Sequence, residues 1–434
     1  MASTNQIKLT VGLEATAGTA RSRTKVVPIS GVVTVDRSAN TGPDPAILGN
    51  NMSSGEYILF ADVAGDVPLA IRPTGGVGIL LKSLLGDEIG GEQVGACLRF
   101  KYTGPQASAK VVANATGDQL RCLLGTKGSE TGDANFGSSG TIDLTATGND
   151  TLSELVSTID AYGSYSAESL FGTGTHPLSS TNSIVGFGSN QAKNTWCYVW
   201  FTSTTSGAYR HVFKIDLTTD EKPTLSLQKD GYQDNFLYAG CVVDSMSISG
   251  ALKAMIEGTC SILGMTETGS QVASALTMED YDPLIFYQGD FSVDGADYNY
   301  TRNFELSMNN NHNADGYGGG SLDRQYQQKG IFECNGNLQV RLDSVSFLKR
   351  ASVFANTQVS IALHFAGGDI TDDVPQYMVI EVPYCSLQNF EYTENAGVFD
   401  ANINFKAISP KGTTYNDPVT ITIVNEDSSL YSAG

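Results

Sequence analysis

The chain has 434 residues, with 26 Lys and Arg against 46 Asp and Glu and a net charge of −20. That balance excludes a protein that holds nucleic acid by its phosphates, because such grip comes from basic side chains. It permits one that DNA passes without adhering. The length suggests two or three domains, and 47 glycines with 13 prolines indicate many turns. Seven cysteines (Cys97, Cys122, Cys197, Cys241, Cys260, Cys334, Cys385) contain no CxxC pair and are expected as free thiols in a reducing compartment. No basic stretch leads into an apolar core near the first residue, and no apolar run approaches the ~20 residues of a membrane helix. A soluble chain made in the cytoplasm, without signal peptide or membrane span, is therefore expected.

Ile7, Leu9, Val11 and Leu13 alternate with Lys8 and Thr10, which predicts a first strand, and a second extended stretch covers about Val26 to Val35. Asn40 to Gly55 is dense in turn residues and is expected to be a long exposed loop. Thr74 as a cap, leucines at helical spacing and Gly86 as a stop predict a short buried helix from Val77 to Leu85. The glycines before Lys82-Ser83 do not make a phosphate loop, since Leu81 stands where that loop needs Gly.

Composition changes near Gly90-Gly91 and returns near Gly207. Between them LRFKYTG, SAKVVANA and TIDLTATG read as strands, and Thr151 to Glu154 forms a capping-box pattern opening the helix LSELVSTIDAY. SYSAESL follows as a strand, and Gly172 to Asn194 reads as a surface loop. This order predicts a small inserted α+β domain at 97–205 within a discontinuous β domain, 1–96 and 206–434.

The most informative stretch is Phe236 to Gly264. Val242, Met246 and Ile248 share one side against Ser245, Ser247 and Ser249. After a Ser249-Gly250 break, Ala254, Ile256, Cys260 and Ile262 oppose Glu257, Thr259 and Ser261. Period two places these sets on opposite faces of a long antiparallel hairpin, one apolar and one polar. Met265 to Asp282 reads as a long loop, Asp294-Gly295 as a hairpin turn, and alternating runs continue to Ile423. The fold expected is mainly β, an antiparallel sandwich or barrel with a short flanking α-helix and the inserted α+β domain.

No catalytic set emerges. His176, His211, His312 and His364 have no second His or Cys at a metal-ligand spacing. Asn309 to Gly316 is rich in oxygen donors but lacks the alternating acids and distal Glu of a calcium loop, and reads as a polar turn. There is no GxSxG elbow. A glycan-acting β protein would show more tryptophan than Trp196 and Trp200. No enzyme activity, cofactor or metal is expected.

The order of segments resembles the tail tube (major tail) protein family of tailed bacteriophages. The resemblance rests on Glu14 and Gly18 in GLEATAGTA, and on Arg72-Pro73-Thr74-Gly75 before an apolar helix ending at Gly86. It continues with Tyr238 and Asp244 in FLYAGCVVDS, Asp294-Gly295, Asn309-Asn310 and the closing strand PVTITIVN. It covers 1–96 and 206–434 and leaves 97–205 without a role. It implies a virion tail protein, assembled in the host cytoplasm, that forms stacked hexameric rings with inner hairpins joined into one barrel. Partners implied are further copies, a tape-measure protein in the lumen, a tail terminator and, in a contractile tail, a sheath protein. Double-stranded DNA would pass through during ejection. The face carrying Ser245, Ser247, Ser249, Glu257, Thr259 and Ser261 has the polar, acidic chemistry such a lumen needs. Two alternatives stay open: that face meets bulk solvent, or the protein is a virion glycan-binding module using 97–205.

Overall fold

A computed structural model describes residues 7–44, 55–138, 140–179, 181–216, 222–231, 234–298, 300–342, 350–353, 355, 357–371, 373–395, 397–409 and 417–432. Its organising element is a wide antiparallel sheet of eight strands. In chain order these are β1 (Asp36–Pro43), β2 (Glu56–Ala70), β3 (Asn235–Ala251), β4 (Glu257–Gly264), β5 (Thr301–Asn309), β6 (Glu333–Arg341), β7 (Val374–Asn395) and β8 (Val398–Ala407). In space the order is β1-β2-β4-β3-β5-β6-β8-β7, and every neighbouring pair is antiparallel.

One face of this sheet builds the core. Met246, Ile248, Cys260, Ile262, Phe304, Leu306, Met308, Leu338, Ile403 and Phe405 are buried there. Against them packs a second sheet, in which Tyr209–Ile215 lies between Gly86–Tyr102 and Thr420–Asn425, followed by the first half of β7 and then Gln358–Thr371. This second sheet is covered on both faces, so Gln358–Thr371 and the first half of β7 carry apolar residues on both sides. Ile421, Ile423, Met378 and Ile380 point into the shared core, whereas Val424, Tyr377 and Val379 point outward into another apolar layer.

That outer layer carries the unit near 97–205. Strand Gly86–Tyr102 runs without interruption from the second sheet into this unit, pairing first with Tyr209–Ile215 and then with Cys197–Thr202 and Tyr165–Phe171. The unit has its own core of Leu98, Phe100, Val111, Leu120, Phe136, Leu155, Ile159, Val199 and Phe201.

Helix α1 (Gly75–Leu85) forms where expected. Thr74 Oγ1 accepts from the Val77 amide at 3.4 Å, and Gly86 at φ 102° returns its N–H to the Lys82 carbonyl. The helix is buried on nearly all sides; a Cβ at Gly76 would lie 2.2 Å from the Val26 carbonyl oxygen. Lys82 pairs with Glu88 at 3.0 Å, a structural task unrelated to phosphate.

Several expectations need correction. Asn40–Pro43, expected in a loop, belongs to strand β1, part of a ribbon exposed on both faces that carries no apolar alternation to reveal it. The tip of that expected loop, 45–54, lies outside the described residues. The Val26–Val35 stretch is a strand only over Lys25–Val27. The Ser249-Gly250 break is absent: β3 continues to Ala251, and the chain turns at 252–256, where Lys253 takes φ 66°. Helix α2 (Leu152–Asp160) follows Thr151, but the Thr151 side chain makes no cap hydrogen bond, so the capping box does not form. TIDLTATG contributes only Ile142–Asp143 as strand, and the Gly172–Asn194 segment contains strand Ile184–Phe187.

Candidate functional site

The second face of the wide sheet is polar from β4 across to β7, and β2 borders it with Asp66, Pro68 and Ala70. One row of cross-strand neighbours runs Pro68, Thr259, Ser247, Ser307, Asn335, Lys406, Ser386. The next runs Ala70, Glu257, Ser249, Glu305, Asn337, Asn404, Asn389. A third begins Asp66, Ser261, Ser245, Asn309, Glu333. All six hairpin residues singled out from sequence lie on this face and are half-buried or exposed: Ser245, Ser247, Ser249, Glu257, Thr259 and Ser261. They occupy only β3 and β4. Sequence reasoning missed that β5, β6, β8 and β7 extend the same face, mostly with Ser, Asn, Gln and Glu and with Lys406 and Asp400 on β8.

Its side chains tie to one another rather than reaching outward. Ser261 donates to Asp66, Asn303 Nδ2 to Gln339 Oε1 at 2.7 Å, and Lys406 pairs with Glu333 at 2.7 Å. Lys406 is the one base in these rows, against the carboxylates Asp66, Glu257, Glu305 and Glu333. The surface is small-residued, hydrogen-bonded and acidic.

The positions that carried the resemblance act as locks behind this face. Buried Glu14 accepts from Ser226 Oγ at 2.8 Å and from the amides of Gly18 and Gly240, both at 2.9 Å. Gly240 sits at φ 63°, and a Cβ there would meet Met265 Sδ at 2.4 Å. Asn310, fully buried, donates to the Leu84 carbonyl at 2.8 Å and the Val243 carbonyl at 3.2 Å, fixing the end of α1 to β3. Asp244 Oδ1 accepts from the His312 amide at 2.8 Å and lies 3.0 Å from its Nδ1. Burial pushes the Asp244 carboxyl up, but the His312 hydrogen bonds outweigh it and hold the group below its usual range. Asp294 and Gly295 take φ 51° and 66° in the predicted turn, and Asp294 Oδ1 accepts from the Ser360 amide at 3.0 Å. Arg72 donates to the Tyr281 carbonyl, and Asn309 pairs across to Ser245 and Glu333. Tyr238 is buried, with the Lys229 ammonium 5.6 Å from its ring centre.

The unit near 97–205 is bolted to the opposite flank. Arg99, 4% exposed, reaches Asp290 at 2.7 Å, pairs with Glu168, and lies over the Trp196 ring at 4.3 Å. Trp196 Nε1 donates to Asp297 at 3.1 Å, Tyr384 to Gln191 at 2.7 Å, and the Ser189 amide to Glu381 at 2.9 Å. Burial drives the Glu381 carboxyl up to about 8 and the His364 ring down to about 3, so at neutral pH both are largely uncharged. Trp200 is also buried, between Phe171 and Tyr377. Neither tryptophan is presented to a ligand, and all four histidines are at least partly buried.

A search of curated proteins returns no match. The family model for phage tail tube protein matches residues 4–407, nearly the whole chain. With its mainly antiparallel β architecture and its wide polar sheet, the chain belongs to the phage tail tube protein family, as a structural component of the virion tail.

Proposed function

We propose that the polar face of the eight-stranded sheet lines the lumen of a tail tube built from stacked rings, and that viral DNA passes along it. The observation that carries this reading is the extent of that face: seven strands wide from β2 to β7, hydroxyl- and amide-rich, and net acidic. Four carboxylates against one lysine in the rows described repel phosphate rather than bind it, and no aromatic side chain stands in those rows to stack on bases. The polar face, the shared core, the second sheet and the 97–205 unit follow one another in layers, so a polar face turned to the lumen leaves 97–205 as an inserted domain on the tube exterior. A tape-measure protein would occupy the lumen during assembly. Terminator and, in a contractile tail, sheath proteins would meet the tube end and its outer wall. The glycan-binding alternative draws no support from the tryptophans, which are spent on docking the insertion.

Negative-stain microscopy of the purified protein tests the assembly, with stacked rings expected. A protein that stays monomeric under every condition contradicts the reading.

A further inference from the structure

We propose that three copies of this chain close one ring, each supplying two equivalent halves of the lumen wall. This rests on the tube reading above and goes beyond it. Within the wide sheet the order β1-β2-β4-β3 is followed by β5-β6-β8-β7, the same path taken twice. In each half a hairpin is followed by a second hairpin whose later strand lies inside. In each half a long connection separates the first two strands, at 44–55 and at 310–332. In each half helical residues follow the second strand: Gly75–Leu85 after β2, and residues 350–353 after β6. The sixfold character expected of the ring is thus met by six sheet halves from three chains.

The two halves meet where β3 pairs with β5, from Ser245 opposite Asn309 to Ala251 opposite Asn303. The free edges of the sheet are poised to repeat that junction. β1 is the counterpart of β5, and among the described residues it pairs only with β2. β7 is the counterpart of β3, and its Asn389–Asn395 part pairs only with β8 among the described residues. Eight alternating strands leave β1 and β7 running in opposite directions. Rotation about a ring axis preserves strand direction, so β7 of one copy meets β1 of the next as an antiparallel pair, as β3 meets β5. Both edges belong to exposed ribbons with apolar side chains in solvent: Tyr57, Ile58 and Leu59 at 60%, 54% and 61% on β2, and Tyr392 and Phe399 at 42% and 51% on β7 and β8. A two-stranded ribbon is marginal alone, and an unpaired edge invites pairing. Six strands separate the two edges within one chain, so the occupant of each is a second copy.

Dimensions fix the number. All of β1 lies on one side of the row through Ser247, with Asp36 opposite Ala64, and Asn389–Asn395 lies on the other. Bringing these edges together staggers the sheet by about ten residues over eight strands, ~33 Å along against ~38 Å across. The strands then tilt by about 40°, within the ~35–45° that barrels adopt. Three copies make 24 strands and a barrel about 50 Å across between backbones, roomy for a duplex about 20 Å wide. Six copies would make one about 100 Å across.

Two measurements test this. Native mass spectrometry of rings released from purified tubes is expected to give about 138 kDa, three chains of 46.0 kDa. Six chains per ring overturn the inference while leaving the tube reading intact; failure to form any ring or tube removes both. Ser38→Cys combined in turn with Asn389→Cys, Glu391→Cys or Thr393→Cys is expected to yield disulfide-linked species up to trimers in at least one register. Wild type and single variants should yield none, since all seven native cysteines are buried. Ladders reaching hexamers, or tubes from all three double variants without cross-links, overturn it. Should the double variants not assemble, hydrogen exchange of wild-type tubes decides: residues 36–43 and 389–395 must be protected relative to the monomer, and unprotected edges overturn the pairing.

Discussion

On the polar face of the wide sheet, Ser247, Ser307, Asn335 and Glu305 are at least partly exposed. On the opposite flank, where the second sheet meets the 97–205 unit, Arg99, Arg210 and Glu381 are almost wholly buried among Trp196, Trp200 and Tyr377. Both surfaces are rich in polar atoms, but their composition follows opposite physical demands. The first meets water. The second is shaped for a permanent protein contact, where each charge needs a partner because solvent cannot supply one. The proposed tube subunit, with 97–205 on its exterior, would need both, and the difference predicts how each tolerates change.

The largest effect is expected at Arg99. Arg99→Ala removes a buried guanidinium from Asp290, Glu168 and Trp196 and should lower unfolding stability by about 3 kcal/mol, read by chemical denaturation. Arg99→Lys should recover little, because a lysine cannot reach several acceptors in one plane. A loss near zero would mean that the insertion is loosely attached.

Glu381→Gln comes next. The carboxyl rises from 4.5 to about 8 on folding, so the folded chain holds a proton the unfolded chain releases. Stability linked to this group is fully present below about pH 4.5 and is lost as pH climbs through about 8, with a slope approaching ~1.4 kcal/mol per pH unit. The variant should flatten that fall. Parallel profiles for the two proteins would show that Glu381 is ionised in the fold.

Thr259→Lys combined with Ser247→Lys should change stability least, within about 0.5 kcal/mol, since neither site is buried. Tubes should still form. Genome delivery should slow, because two cations per chain now face the phosphates. Unchanged delivery from intact tubes would place this face away from the DNA.

How much of this was legible in the residues follows from the same contrast. Helix α1 could be read because Thr74, the leucine spacing and Gly86 are local signals, and the β3–β4 hairpin because one of its faces is apolar. β1 could not, because a ribbon exposed on both sides has no apolar period. The doubled path of the sheet was hidden for a different reason: its halves share topology, not residues, with hydroxyls dominating β3 and β4 and amides β6 and β8. A surface that must only be small and polar leaves side-chain identity free to drift. Glu381, lying in the run YMVIEVPY, looks like an outward residue on a half-exposed strand. Only the covering unit, distant in sequence, turns that position into a buried one.

The most direct test of the lumen assignment is a cryo-EM reconstruction of assembled tubes at a resolution that separates strands. The account predicts that the strands bearing Ser247, Glu305 and Asn337 form the innermost wall and that the 97–205 unit stands outermost. A reconstruction with the 97–205 unit facing the channel, or with the polar sheet on the outer surface, would contradict it.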